Sequence, residues 1–158
     1  MNKHKTKITI LLMMVISIFI LAACSDRDPV DPQHFVEVME SKGFEIVDMT
    51  NDGDSADAVL VAISSDQDFQ IGLFVFENDD LARVAFNALR NNVDQEARER
   101  SATRSNTETN IANYSRLTIT SRGMYVHLYR AANTLMMVDW SDASYRNEIR
   151  NIMRNFEN

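Results

Sequence analysis

The first 23 residues most limit what this chain can fold into. Three lysines between positions 3 and 7 are followed by an apolar stretch from Ile8 to Ala23, which one threonine and one serine interrupt. A basic start followed by an apolar run is typical of an export signal. As a helix this run would reach roughly 24 Å, less than the roughly 30 Å hydrocarbon core of a bilayer. A cleaved signal is therefore favoured over a membrane-spanning helix, and the folded part is expected after it.

The apolar stretch ends in Leu21-Ala22-Ala23-Cys24. These residues resemble the lipobox of bacterial lipoproteins, and the segment from Lys3 to Cys24 resembles the leader of small envelope lipoproteins, especially Gram-positive ones. The resemblance implies cleavage between Ala23 and Cys24 and addition of a diacylglyceryl group to the Cys24 thiol. It also implies that the new amino group is often acylated by a fatty acid such as palmitate. The mature chain would then be held at the extracytoplasmic face of the cell membrane.

Cysteine usage agrees with lipidation, because Cys24 is the only cysteine in the chain. It has no partner for an internal disulfide, and a free thiol in an exported protein is a liability. An ordinary secretory signal and an uncut anchor remain the alternatives. With cleavage, the sequence predicts a signal peptide over 1–23, a lipidated extended tether over 24–31, and a single domain over 32–158.

The charge balance of the mature part limits its partners. The whole sequence has a net charge of −7, and the residues after position 23 have about −10, since the leader contains three lysines and no acid. Binding to nucleic acids rests on neutralising phosphates, so this balance argues against a nucleic-acid partner. The arginines at 98, 100 and 104 are interleaved with glutamates, which indicates a solvated segment and not a phosphate site.

Hydrophobic periodicity predicts an α+β fold. Asp31-Pro32 is typical of a helix N-cap followed by proline at the first helical position, and Asn78 opens a second helix. The expected order is helix, three strands, helix, three strands, helix, with strands over 44–49, 58–63, 69–76, 114–120, 124–130 and 134–140. Short connections favour an antiparallel sheet built from two three-stranded meanders, with helices packed on one face. The order suggests a doubled helix-plus-meander unit.

Two local expectations concern the middle of the chain. The second helix is expected to bury an apolar stripe, with Phe86 beside it, made of Leu81, Val84, Ala85, Ala88 and Leu89, which can extend to Val93. The segment 94–113 is almost entirely polar. Its first part is expected to extend the helix, and the rest is expected to be a mobile loop.

An acidic run that begins at Asp48 is a candidate cation site. If Gly53 is aligned with the sharp-turn glycine of a calcium loop, Asp48 and Asp52 take the first and fifth ligand positions, with Asp54 nearby. The twelfth position is Val59, which supplies no carboxylate, and strands flank the run where helices are needed. The residues therefore favour an acidic hairpin turn and leave Asp48, Asp52 and Asp54 as weak metal candidates.

One row of side chains is a candidate ligand groove. His127 lies on a predicted strand in line with Tyr125 and Tyr129. Such a row can line a groove, although a half-exposed sheet face with ordinary cross-strand pairs is more common. The mature chain has too few histidines for a zinc site, no Gly-rich phosphate loop and no nucleophile elbow. The sequence therefore predicts no catalytic residue, no cofactor and no metal.

These observations leave hypotheses of different classes. The first is a non-enzymatic module, anchored by lipid, that binds another envelope protein or a peptide through an exposed sheet face or edge. The second is a binder of a small ligand or cation, which would use the acidic turn or the row of Tyr125, His127 and Tyr129. A hydrolase whose site is assembled only in space is a third, because such a site leaves no local motif.

Overall fold

The computed structural model describes residues 26–51, 55–66, 68–101 and 103–157, apart from the side chain of Trp140. The predicted signal peptide, Cys24, Asp52 and Asp54 lie outside these residues. Within the described ranges, no helix is both long enough and apolar enough to cross a membrane.

The described chain has the predicted α+β architecture. The helices are α1 (Pro32–Ser41), α2 (Asp79–Arg100) and α3 (Arg146–Met153), and a short 3₁₀ turn over Ala143–Tyr145 precedes α3. The strands are β1 (Glu45–Asp48), β2 (Ala58–Ile63), β3 (Gln70–Val75), β4 (Arg104–Ile111), β5 (Tyr114–Ser121), β6 (Met124–Ala131) and β7 (Thr134–Asp142). The predicted helix starts are confirmed: the Asp31 side chain accepts a hydrogen bond from the Gln33 amide, and Asn78 accepts one from Leu81.

All seven strands form one antiparallel sheet in the order β1-β2-β3-β7-β6-β5-β4. The meander β1–β3 and the meander β4–β7 meet where β3 pairs with β7, with Leu73 opposite Met136. The second meander therefore has four strands, one more than the sequence predicted, and the two halves do not repeat the same unit.

The additional strand is β4, which lies in the polar segment expected to be a mobile loop. Helix α2 continues to Arg100, and β4 then pairs with β5 along its length, with Thr107 opposite Thr118. The loop prediction was wrong because β4 lies at the edge of the sheet and most of its side chains are exposed. An edge strand of this kind needs no apolar alternation, and that alternation was the signal used.

Helices cover the central part of the sheet on both faces. On one face α2 packs over a cluster that includes Phe86 and Leu128, and on the other α1 and α3 pack over a cluster that includes Phe35, Tyr129 and Ile149. Seven of the eight residues of β6 are buried for this reason. The helices are thus divided between the two faces and are not gathered on one face as expected.

Helix α2 is turned relative to the predicted orientation. Of the expected stripe, Ala85 and Leu89 are partly buried against the core and Val93 is buried. Leu81 and Val84 of the expected stripe are 38% and 64% exposed. The buried residues are Ala82, Phe86, Val93 and Ala97. The helix is therefore rotated so that its one aromatic side chain enters the core, since a phenylalanine buries more apolar area than a valine or leucine.

The residues before α1 are attached to the domain. The backbone N–H and C=O of Arg27 bond to the side chain of Asn113, at 3.0 and 2.8 Å. The Val30 amide donates to the Thr134 hydroxyl at 2.9 Å, and the Val30 side chain is buried. The described part of the predicted tether is thus docked against the ends of the sheet strands.

Candidate functional site

A polar pocket of about 450 Å³ lies on the α3 side of the sheet, above β4, β5 and β6. Its lining side chains are hydroxylic or charged, with one imidazole: Ser105, Thr107, Arg116, Thr118, Thr120, Tyr125, His127, Arg146, Arg150, Arg154 and Glu157. Four arginines stand against one glutamate, so the local charge is opposite in sign to that of the whole chain.

The floor of the pocket follows from strand alternation. In β5, Leu117 and Ile119 are fully buried against α2, so that Arg116, Thr118 and Thr120 face the other side. The neighbouring residues of β4 continue this face, with Ser105 opposite Thr120 and Thr107 opposite Thr118. The floor is therefore a ladder of hydroxyl groups, each of which can donate or accept a hydrogen bond.

The wall of the pocket is one side of α3 and its C-terminal end. Ile149, Ile152 and Met153 are buried and attach the helix to the sheet. Arg146, Arg150 and Arg154 follow each other at intervals of four residues on an exposed side. At about 1.5 Å rise per residue this spacing places successive arginines roughly 6 Å apart along the axis.

Two of these arginines are not neutralised. Within the described ranges, neither Arg146 nor Arg150 makes an ion pair, whereas most other described arginines of the domain do. Like charges at i, i+4 on a helix are destabilising by a few tenths of a kcal/mol. The row is thus a small cost to the isolated fold, and a bound anion would relieve it.

The back of the pocket is a connected chain of polar groups. The Tyr125 hydroxyl lies 3.1 Å from Nδ1 of His127, and Nε2 of His127 lies 2.8 Å from Oε1 of Glu157. The distance between His127 and Glu157 is that of an ion pair, but the geometry of this contact does not meet the angle needed for a hydrogen bond. Oε2 of Glu157 accepts a hydrogen bond from Arg116 at 3.1 Å. The carboxylate of Glu157 is therefore held between an imidazole and a guanidinium.

Two of these groups have shifted pKa values. Burial alone would raise the pKa of Glu157, but contact with His127 and the guanidinium of Arg116 outweighs burial and leaves this pKa below its ordinary value. Burial raises the pKa of Tyr125 above that of a free tyrosine. Glu157 is therefore a stable carboxylate at neutral pH, and Tyr125 keeps its proton.

The predicted row of aromatic and imidazole side chains is divided by the structure. Tyr125 and His127 line the pocket, although their side chains are almost fully buried. Tyr129 lies in the core, where its hydroxyl donates to the Phe156 carbonyl at 2.9 Å and burial raises its pKa to about 12. The half-exposed sheet face that the sequence favoured is absent here, because α3 and the C-terminal residues cover this row.

The acidic turn shows no assembled cation site in the part that is described. The Asp48 carboxylate accepts a hydrogen bond from the Thr50 amide at 2.9 Å, an interaction typical of a turn. The other two candidates, Asp52 and Asp54, are among the residues outside the described ranges. No group of three or more histidine, cysteine or acidic residues suited to a metal is found in the described residues.

The charged members of the pocket were not predicted from the sequence. Arg116 and Glu157 carry no local signal, since they meet only through pairing of strands and the position of the C-terminus. The arginines of α3 did carry one: three arginines at intervals of four residues lie on one side of a helix, beside the apolar side that was recognised.

Comparisons with known proteins give little similarity. No protein-family model matches the sequence, and no curated protein matches it. The crystal structure of a GTP binding regulator from Thermotoga maritima resembles the chain with a TM-score of 0.43 and 15% sequence identity, over 81% of this chain and 88% of that chain. At this level the likeness carries no argument about function.

Proposed function

We propose that the folded domain is a non-enzymatic binding protein that takes an anionic ligand into the pocket between α3 and strands β4–β6. The observation that supports this proposal is the row of Arg146, Arg150 and Arg154 above a floor of hydroxyl groups, in a chain that is otherwise acidic. Guanidinium groups bind carboxylate and phosphate oxygens through two parallel hydrogen bonds, and hydroxyls complete the coordination of the remaining oxygens.

The overall negative charge does not oppose this binding strongly. At physiological ionic strength the Debye length is about 8 Å, so the exposed acids elsewhere on the surface are largely screened at the pocket. Inside the pocket positive charge dominates, because Arg116 and Glu157 neutralise each other and, within the described ranges, Arg146 and Arg150 make no ion pair. The expected ligand is therefore a small molecule or chain segment with carboxylate or phosphate groups.

Calorimetric titration tests this proposal. Inorganic phosphate and citrate are titrated into the full chain in an uncharged detergent at low salt, and Arg150→Gln is compared with Arg83→Gln. Arg83 lies on α2 and pairs with Asp80, outside the pocket. Loss of one charge-assisted contact predicts that Arg150→Gln weakens binding by about tenfold, while the control leaves it unchanged. If neither anion binds, or if both variants bind equally well, the proposal is wrong.

We further propose that the protein is an extracytoplasmic lipoprotein held at the cell membrane by lipid on Cys24. The lipobox-like residues carry this proposal, and the docking of Arg27 sets its geometry. Only three residue steps separate Cys24 from Arg27, and an extended chain spans at most about 3.6 Å per residue. The lipid would thus lie within roughly 11 Å of the attached Arg27 backbone.

In cells labelled with a fatty-acid analogue, Cys24→Ser should abolish labelling; continued labelling would refute the anchor.

A further inference from the structure

Strand β4 leaves one edge of the sheet open beside the pocket. It is the last strand in the sheet order, and no described strand pairs with its outer edge. It has eight residues, Arg104–Ile111, and contains neither proline nor lysine. Proteins commonly block open edges with proline or with charged side chains, above all lysine. The two charged residues of β4, Arg104 and Glu108, are paired with Asp94 and Arg90 of α2. The outer N–H and C=O groups of β4 are therefore available to an added strand.

The pocket reaches this open edge. Ser105 and Thr107 of β4 are part of its floor, so a strand added to β4 would continue that floor on the pocket face. Alternate side chains of such a strand would point to the same side as the arginines of α3. Residues i and i+2 of a strand are roughly 6.6 Å apart, close to the roughly 6 Å between successive arginines.

The two faces of β4 differ in charge. This difference determines which side chains an added strand should present to the pocket. On the face towards α2, Arg104 pairs with Asp94 at 3.0 Å, and Glu108 pairs with Arg90 at 2.8 Å. That face is already neutralised. On the pocket face, β4 supplies only hydroxyl and apolar side chains, so the nearby arginines of α3 set the charge.

We infer that an extended acidic peptide pairs with β4 as an eighth strand and directs the carboxylates of alternate residues into the arginine-lined pocket. The inference rests on the proposed anion-binding function and names the class of partner for the same site: an acidic segment of another protein. Main-chain hydrogen bonds to β4 would supply affinity, and the arginines would select the sequence.

A second copy of this chain fits the edge less well. If two β4 strands paired edge to edge with a continuous pocket face, the partner strand would present Ser105, Thr107, Thr109 and Ile111 to the pocket face. None of these is acidic. Such a dimer would also bring two arginine-rich pockets onto one surface without an anion between them.

Backbone methylation distinguishes strand addition from simple charge attraction. The probe is an acetylated eight-residue peptide in which glutamate and threonine alternate. One version is N-methylated at every glutamate amide and the other at every threonine amide. In an extended strand, the amides of alternate residues point to the same edge, so one version cannot pair with β4 while the other can.

The affinities are measured with the full chain in an uncharged detergent. We expect one methylated peptide to lose at least tenfold in affinity, and the other to stay within about threefold of the unmodified peptide. Arg150→Glu should weaken binding of the unmodified peptide at least tenfold, and Arg83→Glu should not.

Equal binding of both methylated peptides would overturn strand addition while phosphate or citrate binding still upheld the anion pocket. Failure of the peptide and of both small anions would overturn both proposals. Self-association of the protein without peptide, abolished by Thr107→Pro, would assign the edge to a second copy and overturn the inference.

Discussion

Nε2 of His127, in β6, lies 2.8 Å from Oε1 of Glu157. Glu157 directly follows Phe156, which is buried in the same apolar cluster as the core-facing residues of α3. The contact attaches the C-terminal residues to β6. The second oxygen of the same carboxylate accepts a hydrogen bond from Arg116 of β5. One acidic residue thus joins the end of the chain to two strands and closes the back of the pocket.

Acidification is expected to weaken this attachment. Because the pKa of Glu157 is lower in the folded protein than in the unfolded chain, the carboxylate contributes stability above its unfolded pKa of about 4.3. That contribution is lost as the pH falls through the lower folded pKa. We expect Glu157→Gln to lose about 1–2 kcal/mol of unfolding free energy at pH 7 and to show a shallower loss between pH 5 and pH 3 than the unchanged protein. Urea unfolding at a series of pH values measures both; parallel curves would contradict the assigned contact.

Arg130 gives a second prediction, because its guanidinium is fully buried beneath the start of α2. It makes an ion pair with Asp79 and donates to the Ala112 carbonyl at 3.0 Å and to the Ser115 hydroxyl at 3.2 Å. Removing the anion leaves a buried charge with only neutral partners, so Asp79→Ala is expected to cost about 2–4 kcal/mol. Asp80→Ala, one residue further on, removes an exposed pair with Arg83 and should cost under about 1 kcal/mol. Equal losses in thermal or urea unfolding would show that Arg130 does not depend on Asp79.

The hydroxyl of Tyr129 gives a third prediction, which again concerns how the C-terminal residues are attached to the sheet. Tyr129→Phe removes the donor to the Phe156 carbonyl and leaves that acceptor without this bond, which is expected to cost about 1 kcal/mol. Tyr114→Phe is the matched control, since its ring packs on Tyr129 with centroids 5.7 Å apart and no hydrogen bond of its hydroxyl is found in the described residues. Urea midpoints that shift equally in the two variants would argue against a stabilising role for the Tyr129 bond.

Local sequence patterns predicted most of the elements but not how they assemble. The caps at Asp31 and Asn78 and the alternation of Leu117 and Ile119 act within a few residues, so periodicity was sufficient to find them. Strand β4 has no such pattern, since its stability comes from pairing with β5 and not from burial of its own side chains. The division of helices between two faces likewise depends on which side of the sheet each connection crosses.

The candidate site shows the same limit. His127 and Tyr125 were found because they stand on one strand, two residues apart. Their partner Glu157 is 30 positions further along the chain than His127, and only the packing of α3 brings it to the sheet. A spatial cluster of this kind leaves no spacing in the sequence from which it could be inferred.

The orientation of α2 in the structure differs from the one predicted from the sequence, and substitutions can test it. Phe86 is 1% exposed and packs within the cluster on that face, whereas Val84 is 64% exposed. Truncating a buried phenylalanine removes its transfer free energy and leaves a cavity, so Phe86→Ala is expected to cost about 3–5 kcal/mol. Val84→Ala, on the exposed side of the same helix, should change stability by less than about 0.5 kcal/mol. The stripe expected from periodicity predicts a large cost at Val84, so urea unfolding of these two variants decides between the two orientations of the helix.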